Sequence, residues 1–153
     1  MKALKSYPEF SFVVIGKLSI KSNELYAKLK KSLNFNYLGF KKSSYLAAYL
    51  ENFALCLIPY STQSYGQSAF PVKINEYLFL GKPVVTTNLP ALEDLNKENL
   101  IYLSKDDNQF LNNIKKAVHE GKNEEFTKKR VEYAMKNSWQ EKLPVLIKII
   151  EHA

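Results

Sequence analysis

Short apolar runs alternate along the chain with stretches in which apolar residues recur every three or four positions. Phe12-Val13-Val14-Ile15-Gly16 is continuous and ends in glycine, which predicts a strand buried on both faces. Asn23 to Leu33 reads as a helix, with Asn23 as its cap and Leu25, Leu29 and Leu33 on one face. Tyr37-Leu38-Gly39-Phe40 predicts a second strand. Ser43 or Ser44 then caps a helix that carries Leu46, Tyr49, Leu50 and Phe53 on one side. Leu55-Cys56-Leu57-Ile58 predicts a third strand, stopped by Pro59. Pro71 suits the first turn of the next helix, and Gly81 its C-terminal cap. Pro83 to Thr87 and Leu100 to Leu103 predict two more strands. Asp106-Asp107 opens a helix with Leu111, Ile114 and Val118. From Asn123 the pattern is helical to the end, with a kink or division expected at Pro144.

Strands that alternate with helices of this length predict βαβ units. The fold class is therefore α/β: one open, parallel, Rossmann-like sheet with helices on both faces, as a single domain over residues 1–153. Ligands of such sheets bind beyond the carboxyl ends of the strands, here the loops after Ile15, Leu38 and Ile58. The third loop, Pro59 to Phe70, is rich in small and hydroxyl residues and feeds a helix N-terminus, a place that favours phosphate. Lys73 and Glu76 lie three residues apart in that helix's first turn, so they share a face. Together they form either a clamp, with lysine on a diphosphate and glutamate on a ribose, or an ordinary surface ion pair.

Composition narrows the choice. A chain of 153 residues with 46% hydrophobic and 24% charged residues can bury a core of its own. The formal net charge is +7, yet Arg130 is the single arginine. A lysine surface makes a diffuse field, suited to phosphorylated small molecules or an anionic membrane surface and poor for reading bases in a DNA groove. No nucleic-acid partner is expected. Cys56 alone allows no disulfide, and His119 and His152 are too scattered for a metal site. Phosphate-loop and GxGxxG fingerprints are absent, and no catalytic triad stands out. No run has the ~18 apolar residues of a membrane span, and the first apolar run is too short for a signal peptide, so the cytoplasm is the expected location.

The stretch from Phe70 to Thr87, Pro-x-Lys-x-x-Glu-Tyr-Leu-x-x-Gly-Lys-Pro-Val-Val at its centre, resembles the signature of GT-B glycosyltransferases of the group 1, family 4-like type. Pro8 to Gly16 is similar to a strand of that family's donor domain, Tyr37 to Phe40 to its base-side loop, and Ser138-Trp139 to the start of its terminal helix. The resemblance covers nearly the whole chain. It implies a donor domain for a nucleotide diphosphate sugar of UDP or GDP type, with no other cofactor and no metal. By position, Glu76 would bind the ribose, Lys73 would face the diphosphate, and Gly39 and Phe40 would lie along the base. Tyr60, Ser64, Gly66 and Ser68 would line the sugar diphosphate, with Gly16 and Lys17 near the cleft. No catalytic residue is identified.

Two departures qualify the resemblance. Many retaining members carry a second glutamate eight residues before the one matching Glu76, where this chain has Ser68, so retaining and inverting chemistry both stay open. The family's acceptor domain, and the first strand and helix of its donor domain, have no counterpart here. The expectation is a hexosyltransferase-type donor domain in polysaccharide biosynthesis, inactive without an N-terminal acceptor domain or subunit. Its acceptor would be a glycan or a lipid-linked sugar, with peripheral association at the inner face of the membrane. A non-catalytic nucleotide-binding or regulatory module, or an inactive fragment, is the alternative. Leu143, Ile147 and Ile150 form a terminal apolar stripe that either packs on the domain's own sheet or marks an interface.

Overall fold

The computed structural model describes residues 2–19, 23–60, 70–121 and 123–151. The chain forms two compact units, Met1–Tyr49 and Leu50–Ala153. In both, helices alternate with short parallel strands, the open Rossmann-like α/β arrangement.

The first unit opens with α1 (Lys2–Ser6), which the apolar pattern did not announce. The Asn34 amide donates to the carbonyls of Leu4 and Tyr7, both at 3.0 Å, which satisfies the end of α1. β1 (Phe12–Val14) pairs in parallel with β2 (Phe35–Tyr37). Burial of β1 is partial, since Val14 is exposed. Between them, α2 runs Asn23–Leu29, shorter than expected. The leucine stripe is not its packing face: Leu25 is exposed, and Leu33 lies beyond the helix and fully in solvent. Tyr26 packs instead, edge-on against Phe35 and Tyr37. β2 also ends earlier than expected. Gly39 takes φ +70°, which no strand accommodates, so Leu38 to Phe40 form a turn. α3 (Ser43–Leu50) follows, and the expected face holds: Leu46, Tyr49 and Phe53 are half-buried and Leu50 is buried.

The second unit holds the larger core. β3 (Cys56–Ile58), β4 (Val84–Thr87) and β5 (Tyr102–Ser104) form a parallel sheet in sequence order with β4 central. Val84, Val85 and Thr86 are wholly buried, as a doubly covered strand requires. α4 (Lys73–Phe79) links β3 to β4 and buries Ile74 and Leu78 completely. Its end is a Schellman motif: Gly81, at φ +67°, donates to the Leu78 carbonyl, and Lys82 donates to that of Tyr77. A Cβ on Gly81 would stand 2.5 Å from Cγ2 of Thr127, so the turn both requires glycine and meets a neighbouring helix.

The crossover from β4 to β5 is a 3₁₀ turn (Pro90–Leu92) and α5 (Glu93–Lys97), neither of which the apolar pattern indicated. β5 begins two residues later than expected, because the Leu100 amide closes the α5 turn on Leu95. α6 (Asp107–Glu120) is capped by Asp106, whose carboxylate accepts from the Gln109 amide. Ile114 and Ala117 are buried on its inner face, and the buried Asn113 amide bonds the Leu103 carbonyl and the Ser104 hydroxyl.

α7 (Glu124–Lys136) and α8 (Trp139–Glu151) follow. The break falls at Asn137 and Ser138 and not at Pro144, which sits inside α8 and deletes only one helical hydrogen bond. α8 buries nothing: Leu143, Ile147 and Ile150 are exposed, so the stripe does not pack on the sheet.

Arg130 is the largest wholly buried side chain, 1% exposed. Its Nε donates to the Leu100 carbonyl at 2.9 Å, and its guanidinium pairs with Glu120, which also accepts from the Tyr102 hydroxyl. Burial and that bond to Glu120 push the Tyr102 phenol well above its usual range. The network ties α7, α6 and β5 together. Arg130→Met should cost about 3–5 kcal/mol in denaturant unfolding, since it leaves Glu120 without its countercharge. Arg130→Met with Glu120→Leu should recover much of that loss. Equal stability of the single variant and the parent would contradict the assignment.

Candidate functional site

The first unit gathers Gly16, Lys17, Gly39 and Phe40 at the carboxyl end of β1 and β2. The Gly16 amide donates to the Gly39 carbonyl at 3.0 Å, and the Leu38 amide to the Val14 carbonyl at 3.0 Å. Gly16 (φ +149°) and Gly39 (φ +70°) both occupy conformations that favour glycine, and the space beside each is open. The Lys17 ammonium lies 4.9 Å from the centre of the exposed Phe40 ring. The Tyr37 hydroxyl donates to the Gly16 carbonyl at 2.8 Å and so braces the turn. This is a flat aromatic face beside a cation, on a backbone with no side chain in the way.

In the second unit, β3 and β4 are parallel and α4 lies between them in sequence, so α4 begins at the carboxyl end of the sheet. Ile74 and Leu78 face the core, which leaves Lys73 and Glu76 to solvent. The Lys73 ammonium donates to both Glu76 carboxylate oxygens, at 3.0 and 2.8 Å. Both side chains are about half exposed, and such a pair contributes about 0.2–0.5 kcal/mol. A carboxylate in the first turn suits the helix dipole and a lysine there opposes it, so an anion on Lys73 would relieve the mismatch. Among the described residues no side chain caps α4. The Ile74 amide bonds the Pro71 carbonyl and the Asn75 amide that of Val72, a tight turn opened by the proline.

Tyr60 leaves β3 half exposed, its amide bonded to the Ile58 carbonyl. Ser64, Gly66 and Ser68 lie outside the described residues. Behind α4, burial pushes the Cys56 thiol up to about 12 against the pull of Lys82. Burial likewise pushes Tyr77 up to about 12, with Cys56, Glu76 and Tyr60 adding to it. Cys56 is therefore a neutral core thiol at physiological pH.

Two residues escaped the sequence reading. Tyr37 lies in an expected strand, and nothing in the pattern there marks its hydroxyl as a brace. Thr87, at the carboxyl end of β4, has a buried hydroxyl oxygen with no hydrogen-bond partner among the described residues, which no sequence signal could reveal.

The profile of the family described as "Glycosyl transferases group 1" matches residues 1–120. The chain belongs to the group 1 glycosyltransferases. It is also 25% identical over 134 residues to the putative teichuronic acid biosynthesis glycosyltransferase TuaH of Bacillus subtilis (strain 168), a match that covers 86% of this chain. The chain spans about a third of the length of that relative. Both units of this group 1 glycosyltransferase lie wholly or partly within the family match, the turn at Gly39 and the Lys73–Glu76 pair included.

Gly39→Ala should destabilise the first turn by about 1–2 kcal/mol through backbone strain alone, because nothing obstructs the added methyl. Gly39→Asn should lose less, since asparagine tolerates this conformation. Chemical denaturation of the variants checks this, and an alanine variant as stable as the parent would refute the strain.

Proposed function

We propose that the chain holds the nucleotide diphosphate donor of a glycosyl transfer, of UDP or GDP type. The observation that carries the proposal is the Lys73–Glu76 pair, turned outward on the first turn of a helix whose other face is locked in the core. Opposite charges in bidentate contact can exchange partners. The donor's diphosphate takes Lys73, and the carboxylate so released takes two ribose hydroxyls. The cost of breaking the pair is small because it is exposed to water. Lysine charge then stabilises the leaving diphosphate as the glycosidic bond breaks, with no metal required.

In this reading Tyr60, Ser64, Gly66 and Ser68 line the sugar diphosphate, and the assignment of Gly16, Lys17, Gly39 and Phe40 to the base rests on the family resemblance. A hexosyl group passes to a glycan or lipid-linked acceptor held by an acceptor domain or subunit. The relative's naming for teichuronic acid biosynthesis supports a polysaccharide product. A cytoplasmic location with peripheral membrane contact suits such an acceptor, and no helix of the described residues is long and apolar enough to cross a membrane.

Calorimetric titration of the chain with UDP, GDP and ADP tests the proposal. One nucleotide should bind saturably, and Glu76→Ala should weaken it by roughly 1–3 kcal/mol through loss of charge-assisted hydrogen bonds. Equal affinity in a folded Glu76→Ala variant would leave the pair as a surface ion pair only.

A further inference from the structure

α6 carries a second, separate constellation. Asn112, Lys115, Lys116 and His119 fall at i, i+3, i+4 and i+7, so they share the outer face of the helix, opposite Ile114 and Ala117. With Tyr102, Glu120 and Phe126 they line a wide, open groove of about 750 Å³. Tyr102 opens β5 and Glu120 closes α6, so the groove lies at the amino end of the sheet, away from the end where α4 begins.

Its charges are arranged for an anion. Among the described residues of the lining the only carboxylate is that of Glu120, already held by the buried Arg130 and by the Tyr102 hydroxyl. Among the described residues neither Lys115 nor Lys116 has an acidic partner. Phe126 and Tyr102 supply aromatic surface, and Asn112 an amide that both donates and accepts.

We propose that this groove binds an acidic saccharide. A uronic acid ring presents an apolar C–H face to Phe126 and Tyr102, hydroxyls to Asn112, and a carboxylate to Lys115 and Lys116. A nucleotide fits less well, because no carboxylate remains to take ribose hydroxyls. A nucleic-acid backbone needs a longer cationic track, and the chain's single arginine is buried in the wall. The step from anion to saccharide rests on the chain's membership of a sugar-transferring family, and not on the donor site at α4.

Titration of the full chain with short galacturonic acid oligosaccharides tests this. Saturable binding is expected, with neutral malto-oligosaccharides at least about tenfold weaker and the Lys115→Glu/Lys116→Glu variant weaker by roughly the same factor. Both lysines are exposed, so the variant should keep its fold, which circular dichroism checks. No saturable binding, or binding untouched by the charge reversal, would overturn the proposal. Equally tight binding of a single-stranded DNA oligonucleotide would also overturn it, in favour of an unselective cationic patch. Glu76→Ala should leave this titration unchanged, so failure of the donor reading would show in the nucleotide titration alone.

Discussion

The placement of α4 depends on one constraint: Ile74 and Leu78 must be out of water. At about 1.5–3 kcal/mol for each fully buried side chain, this is among the larger local contributions in the second unit. It fixes the rotation of a short helix that would not persist alone. Gly81 fixes its length, since the left-handed turn there returns the chain directly into the central strand β4. With rotation and length both set, Lys73 and Glu76 have only the solvent side left. Their mutual contact is a weak interaction held in position by a strong one, which is what an exchangeable site requires.

Polar groups near the core show the same economy. The Asn113 amide, the Arg130 guanidinium and the Asn96 carbonyl oxygen each satisfy backbone or side-chain atoms around β5, the edge strand. β5 is thus tied to α5, α6 and α7, and the α6 groove gains a rigid wall. Glu120 has its charge consumed inside this network, so the groove is cationic although a carboxylate lines it. Thr87 is the exception, a buried hydroxyl oxygen at the carboxyl end of β4 without a partner among the described residues.

The sequence made the βαβ order legible because three apolar runs, the helix-opening Pro71 and the helix-ending Gly81 coincide with real elements. It misread the ends of β2 and β5. In the first case a glycine conformation decided the boundary, and in the second a backbone bond to α5 did. Neither leaves a trace in hydrophobic periodicity. The α2 stripe failed for another reason: Tyr26 and the partly buried Leu29 form the packing face, and Leu25 and Leu33 stay in solvent. Of the candidate site, adjacency of Lys73 and Glu76 followed from helical spacing alone. The meeting of Gly16 with Gly39 did not, since it depends on parallel pairing of strands far apart in sequence. The α6 stripe carries no motif of its own, and its opposite wall, Phe126 and Tyr102, comes from elements that only the fold brings beside it.

The central claim is that the solvent face of α4 exchanges its internal ion pair for a nucleotide diphosphate. Backbone amide spectra of the whole chain, recorded while UDP or GDP is added, test it most directly. The account predicts saturable shifts in the amides of Val72 to Glu76 and none in the α6 stripe from Asn112 to His119. Shifts confined to other residues, with the first turn of α4 unmoved, would contradict it.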